Sequence, residues 1–184
     1  TVSGTGSSAS IAVGQDIDFS IGSGTFLYPN LETLQDQSNR ALLVYVDDHN
    51  GDSGARDLTI SGTGSSATIA TTNKHTWMTS EATYLRTDWD NDNNVVVAFY
   101  KHSQQTSGYS TNLKVTNTTI SDKGDQAYFT FGGTSADGAY DPVQNQYIAL
   151  FFNTGNNYAY YKLGVPDSSL SINWNGNYGS IGGN

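Results

Sequence analysis

Apolar and polar residues alternate along much of this chain, beginning near its N-terminus. Between Ile11 and Ile21, apolar side chains occupy most odd-numbered positions, and small, polar or charged residues lie between them. A period of two indicates a strand with one buried face. The further strand candidates are residues 41–46, 57–60, 66–70, 83–86, 95–100, 112–115, 127–131, 147–152, 158–163 and 169–174.

Clusters of Gly, Asn, Asp and Ser separate these candidate strands. Such residues form turns because they tolerate a positive φ or bond their own backbone through the side chain. No amphipathic helix of ten residues is predicted, and the segment closest to one is the short stretch 30–37. The pattern therefore predicts an all-β protein.

A repeated stretch indicates that the chain consists of related units. Residues 1–12, TVSGTGSSASIA, recur at 59–70 as TISGTGSSATIA, and the two copies differ at only two of twelve positions. A second similarity joins the stretches NRALLVYV, NNVVVAFY and NQYIALFF, which begin at Asn39, Asn93 and Asn145. Repeats of this kind are units that bury their apolar faces against one another. The predicted units, of about 50–58 residues, are 1–58, 59–113 and 114–163, followed by a tail at 164–184.

The length and the strand pattern predict one domain over residues 1–184. The preferred fold is an antiparallel, jelly-roll-like β-sandwich built from these diverged repeats, because long strands suit two sheets packed face to face. A pseudo-threefold β-trefoil or β-prism is the alternative, since three related units also fit a threefold arrangement.

Charge and composition exclude several classes of protein. The chain has 17 acidic and 8 basic residues, a net charge of −9, so it repels nucleic-acid phosphates. No apolar run is long enough for a membrane span. The absence of Cys excludes disulfides and thiolate sites. Abundant Ser, Thr, Asn, Gly and Tyr predict an extracellular or cell-surface location for a mature chain whose signal peptide has been removed.

Two acidic loops are candidate calcium sites. The stretch DWDNDNN carries Asp88, Asp90 and Asp92 at alternate positions, and a second loop carries Asp47 and Asp52. Carboxylate and amide oxygens on a short loop are the ligands that Ca²⁺ prefers. The spacing is not that of an EF-hand, and a solvated acidic turn is the alternative interpretation. No organic cofactor is predicted.

Aromatic residues beside polar loops suggest a ligand-binding surface. We expect Trp89 to be exposed within the acidic loop, where its ring could stack on a sugar while neighbouring carboxylates and amides bind hydroxyls. The predicted ligand-binding residues are Trp89, Asp88, Asn94, Tyr109 and Tyr158.

These features predict a non-enzymatic, lectin-like or adhesin-like module that binds a glycan or a short peptide through loops braced by Ca²⁺. The alternative is a structural subunit of an extracellular filament or surface layer, in which the N-terminal strand adds to a sheet of another copy. No catalytic residue is predicted, because Glu32 and Glu81 are the only glutamates and no motif pairs two carboxyl groups. A secreted glycoside hydrolase or a pore-forming toxin stays a further alternative.

Overall fold

The computed structural model describes residues 2–3, 10–11, 25–63, 66–129, 133, 135–167 and 169–181. The described part of the chain is all-β, as predicted, and contains no α-helix. None of its segments is a helix long and apolar enough to cross a membrane.

Three consecutive antiparallel sheets contain nearly all of the described strands. The first sheet comprises β3 (Phe26–Thr33), β4 (Arg40–Asp47), β5 (Asp52–Ser61), β6 (Thr68–Thr71) and β7 (His75–Met78). The second comprises β8 (Ala82–Asp90), β9 (Val95–His102), β10 (Gly108–Thr116), β11 (Thr119–Asp122) and β12 (Gln126–Phe129). The third comprises β13 (Ser135–Asp141), β14 (Gln146–Asn153), β15 (Tyr158–Pro166), β16 (Ile172–Trp174) and β17 (Gly179–Ile181). A separate pair joins β1 (Val2–Ser3) to β2 (Ser10–Ile11).

The three sheets have one topology. Four strands follow one another as a meander, and the fifth strand pairs with the free part of the third strand, beyond the fourth. An asparagine with positive φ precedes the second strand of each sheet: Asn39 (61°), Asn94 (54°) and Asn145 (48°). Asn tolerates this left-handed conformation better than most residues. We call the end of the sheets that carries these three turns the asparagine end.

The N-terminal repeat encodes the paired ends of a hairpin. Val2 pairs with Ile11 in β1 and β2, and the corresponding residues Ile60 and Ile69 pair in β5 and β6. The rest of the strand predicted near the N-terminus, at 12–21, lies outside the described residues. The boundaries predicted at residues 58 and 113 lie within β5 and β10, so the predicted units do not coincide with single sheets.

The sheets stack face to face in chain order, with the first strands β3, β8 and β13 lying along one another. In β9, Val96 and Ala98 pack toward the first sheet, whereas Val97 and Phe99 pack toward the third. Both faces of the second sheet are therefore buried, which explains the unbroken apolar run VVVAFY. We call the face of each sheet that points toward the next sheet its forward face, and the other its backward face.

Candidate functional site

Asp90 organises the acidic turn between β8 and β9. One carboxylate oxygen accepts hydrogen bonds from the backbone N–H groups of Asp92 and Asn93, both at 3.0 Å. The other accepts bonds from the Asn93 side-chain amide and from the hydroxyl of Tyr147 in the third sheet. Asp90 is completely buried. Its carboxylate closes the turn and binds the neighbouring sheet, because four donors surround its two oxygens.

The other two aspartates of this turn bind Tyr140 of the third sheet. Asp88 accepts the backbone N–H of Tyr140 at 2.7 Å, and Asp92 accepts its hydroxyl at 2.6 Å. The sequence therefore places three carboxylates at the junction of the second and third sheets, where tyrosine donors from the third sheet satisfy them.

Asp47 and Asp52 form a separate ion-pair cluster with Lys74. The Lys74 ammonium donates to Asp47 at 2.8 Å and to Asp52 at 2.9 Å. Burial alone would raise the pKa of Asp47, but the bonds from Lys74 and Asn50 outweigh it and lower that pKa. Both aspartates therefore belong to a lysine-centred network.

The two acidic loops do not converge. The turn of Asp90 lies at the asparagine end of the second sheet, whereas Asp47 and Asp52 flank the β4–β5 turn at the opposite end of the first. Within the described residues, no group of three or more Asp, Glu or His side chains is arranged to hold a metal ion. Calcium binding by Asp88, Asp90, Asp92, Asp47 and Asp52 stays a prediction without such a cluster to support it.

The expectation that Trp89 is exposed is wrong. Only 8% of Trp89 is exposed, and its ring belongs to the core between the first and second sheets. The reason is that β8 continues through Asp90, so the residues DWD alternate across a strand instead of forming a loop. Asp88 consequently reaches the third sheet, while Trp89 points to the first.

The remaining predicted ligand-binding residues lie far apart on the fold. Asn94 occupies the β8–β9 turn, whereas Tyr109 and Tyr158 lie at the start of β10 and β15, at the opposite end of the sheets. Tyr109 is half-buried and stacks on Tyr100, with ring centroids 6.1 Å apart. Tyr158 is 37% exposed. The structure therefore does not bring the five predicted residues into one site.

A polar cleft of about 600 Å³ lies between the outer strands of the first and second sheets. We call it the inter-sheet cleft. One wall is the crossover from β6 to β7, and the other is the turn from β10 to β11. Its lining residues are Thr71, Thr72, Asn73, Lys74, His75, Thr118, Thr119 and Ile120.

Three polar side chains of the inter-sheet cleft are exposed to solvent and have no hydrogen-bond partner among the described residues. Asn73, Thr118 and Thr119 donate or accept no side-chain hydrogen bond within the part of the chain that the structure describes. Beside them, the His75 imidazole lies 2.7 Å from the Asp122 carboxylate and links the two sheets. No sequence motif marks this site, because its two walls are more than 40 residues apart and meet only when the sheets stack.

A smaller hollow of about 250 Å³ lies beside β15 and β17 in the third sheet. Its lining includes Tyr161 and Tyr178, which are 37% and 52% exposed, and the amides of Asn175 and Asn177. We call it the tyrosine hollow. Exposed aromatic rings beside amides, which the sequence suggested around Trp89, are found here.

Comparison with known proteins found no protein-family model, curated protein or solved structure that matches this chain.

Proposed function

We propose that this protein is a non-enzymatic recognition module whose inter-sheet cleft binds a neutral, hydroxyl-rich glycan. The observation that supports this most directly is the presence of Asn73, Thr118 and Thr119 in a cleft of about 600 Å³ without side-chain partners in the described structure. Hydroxyl and amide groups both donate and accept, as sugar hydroxyls do. Because these groups are exposed, a ligand replaces their bonds to water and breaks no bond within the protein.

The charges around the cleft favour a neutral ligand over an anionic one. The single ammonium of Lys74 is already bound by Asp47 and Asp52, and Asp122 lies against His75. With a net charge of −9 on the whole chain, the surroundings repel phosphate, sulfate and carboxylate groups. We therefore expect neutral hexoses to bind better than sialylated or sulfated glycans.

The chemistry of the lining also limits the affinity. The eight lining residues include no Trp, Tyr or Phe, so no ring is available to stack on a sugar face. A site that relies on a few hydrogen bonds, each contributing about 1 kcal/mol, binds weakly, with a Kd of roughly 1 mM. Adhesion would then depend on many copies that bind at once.

Binding of neutral and of anionic oligosaccharides to the full chain, followed by ligand-observed NMR, tests the proposal. The double variant Asn73→Ala/Thr119→Ala should weaken binding of a neutral oligosaccharide about tenfold or more, because two polar partners are lost. Thr33→Ala, at an exposed threonine of β3, is the matched control and should leave binding unchanged. Full binding by the double variant would contradict the proposed site.

The tyrosine hollow is the second place where a sugar could bind. A variant Tyr178→Ala distinguishes the two positions, because it removes an exposed ring and leaves the inter-sheet cleft intact. Loss of binding in this variant, with normal binding by the cleft variant, would move the site to the third sheet.

The calcium and location predictions are separate from this proposal. If Ca²⁺ braces the acidic loops, EDTA should lower the melting temperature, and added Ca²⁺ should restore it. Secretion of the chain in its native host would test the extracellular location.

Both alternative functions stay proposals with their own tests. Assembly by strand addition predicts that deletion of residues 1–12 abolishes polymers, although most of that segment lies outside the described residues. For a hydrolase, Glu32 is the carboxyl group to examine, since burial is the main cause that raises its pKa. It accepts a hydrogen bond from Thr87 at 2.7 Å. Hydrolysis of a glycan that Glu32→Gln abolishes would replace the recognition proposal.

A further inference from the structure

Corresponding residues of the three sheets show which surface the stack leaves open. The fifth residue after the turn asparagine is Val44 in the first sheet, Phe99 in the second and Leu150 in the third. Val44 packs in the core against the second sheet, and Phe99 packs in the core against the third. Leu150 occupies the same position on a forward face but is 38% exposed.

The forward face of the third sheet is apolar along β14 and β15, and Asp137 of β13 lies at its edge. Strand pairing places Ile148 beside Leu163 and Leu150 beside Tyr161 on this face, because directly paired residues point to the same side. Several of its large apolar residues are exposed by more than a third of their surface: Leu150 38%, Tyr161 37%, Val165 52% and Ile181 55%. An apolar patch of this kind is often an interaction surface in a soluble protein.

We propose that this forward face is an interface with a second copy of the chain, which presents the same face across a twofold axis. The interface would cover the third sheet as the equivalent forward faces of the first and second sheets are covered, each of which is buried against another sheet. Two antiparallel sheets pack in this way about 10 Å apart, with their strands nearly aligned.

The size of the face is sufficient for a dimer. A face four strands wide and about eight residues long covers about 500 Å² when strands lie about 4.8 Å apart and rise about 3.3 Å per residue. Two such faces bury about 1,000 Å², which is the lower limit for a specific interface. We therefore expect a reversible dimer.

The shape of the face suits a twofold axis near β14. On the β13 side, a hollow of about 280 Å³ is lined by Asp137, Ala139 and their neighbours. On the β15 side, Tyr161 and Val165 are large and exposed. A twofold rotation about an axis through Leu150 places the β15 side of one copy over the β13 side of the other. The large side chains of each copy then face the hollow of its partner.

The backward face of the first sheet is a less favourable partner surface, although Leu31 and Ile60 at its margins are 60% and 37% exposed. Ala41, Tyr45 and Leu58 of that face are already buried within a single chain, with at most 5% of any of them exposed. A head-to-tail fibre would need this face to be free, whereas a twofold dimer needs only the forward face of the third sheet.

Sedimentation equilibrium of the full chain over a concentration series tests the proposal. We expect the mass to rise from 19.7 kDa toward twice that value. Leu150→Lys should weaken the dimer at least tenfold, because the twofold axis buries two ammonium groups close together. Val165→Lys, at a more exposed position of the same face, should weaken it as well and provides a second test if Leu150→Lys folds poorly.

Leu31→Lys is the matched control, since Leu31 is 60% exposed on the first sheet. It should leave the mass distribution unchanged. A second measurement uses the absence of native cysteines: Leu150→Cys should form an intermolecular disulfide on oxidation, and Leu31→Cys should not. A wild-type chain that stays monomeric at all concentrations, or a dimer that Leu31→Lys dissociates and Leu150→Lys does not, would overturn the proposal.

Discussion

The second and third sheets share a topology but differ in how much of each is buried. In β9 of the second sheet, every residue from Val95 to Tyr100 is fully buried. In β14 of the third sheet, buried Tyr147, Ala149 and Phe151 alternate with residues that are more exposed. The second sheet is thus buried on both faces, whereas the third sheet, which has the same topology, is buried mainly on one. The difference shows that a strand's position in the stack determines whether one or both of its faces are buried.

The largest expected effect compares the equivalent residues Phe99 and Leu150. Phe99→Ala should lower the free energy of unfolding by about 3–5 kcal/mol, because it leaves a cavity between two sheets. Leu150→Ala should cost less than about 1 kcal/mol in the monomer, since its side chain is partly exposed. Urea denaturation at a protein concentration below the dimer range measures both. Equal losses would show that the forward face of the third sheet is covered within a single chain.

A second comparison uses the aspartates that close the first turn of the second and third sheets. Asp90 and Asp141 each accept backbone N–H groups two and three residues later, but only Asp90 also binds the Tyr147 hydroxyl. Asp90→Ala should cost about 3 kcal/mol because buried donors lose their acceptor, and Asp141→Ala should cost about 1 kcal/mol. Urea denaturation measures these losses. Asp90→Asn, which keeps one acceptor oxygen, is the conservative control. If Asp90→Ala lost as little stability as Asp141→Ala, that result would contradict a sheet-bridging role for Asp90.

The sequence predicted the strands better than the contacts between sheets. The candidate stretches overlap ten strands of the three sheets but miss β3, β7, β11, β13 and β17. The shared stretches at 39–46, 93–100 and 145–152 coincide with the second strands and their turns. Local pattern suffices for these features, because they depend on backbone pairing within one sheet.

The site residues were harder to predict because their environment comes from another sheet. The stretch DWDNDNN resembles an exposed loop, and a completely buried carboxylate such as Asp90 is stable only when donors such as Tyr147 reach it. Asp90 and Tyr147 are 57 residues apart. The inter-sheet cleft has the same character, since Asn73 and Thr119 meet only when the outer edges of two sheets come together.

Alkaline pH should weaken the junction of the second and third sheets. Burial, followed by the hydrogen bond to Asp90, raises the pKa of Tyr147 well above its ordinary value of 10.0. The native state therefore keeps this proton above pH 10, where the unfolded chain releases it, and stability falls by about 1.4 kcal/mol per pH unit for each such tyrosine. Tyr147→Phe should be less stable at pH 7 but should lose stability less steeply between pH 10 and 11.5. Urea denaturation at each pH measures the slopes, and identical slopes would contradict a native-state proton on Tyr147.

The smallest expected effect concerns the turn asparagines, which the two sheets share. Asn94 and Asn145 both have positive φ, a conformation that glycine adopts without strain. Asn94→Gly should therefore change the free energy of unfolding by less than about 0.5 kcal/mol. Asn145→Gly should cost about 1 kcal/mol, because the Asn145 side-chain amide also lies 3.0 Å from the Tyr140 hydroxyl and loses that polar contact.

The double variant Asn145→Gly/Tyr140→Phe separates the turn from this contact. If this contact explains why Asn145→Gly costs more than Asn94→Gly, then Asn145→Gly should cost less than about 0.5 kcal/mol in the Tyr140→Phe background. Urea denaturation measures both costs. A cost that persists without the hydroxyl would mean that the third sheet's turn needs Asn for its own conformation, and the two turns would then differ despite their common backbone.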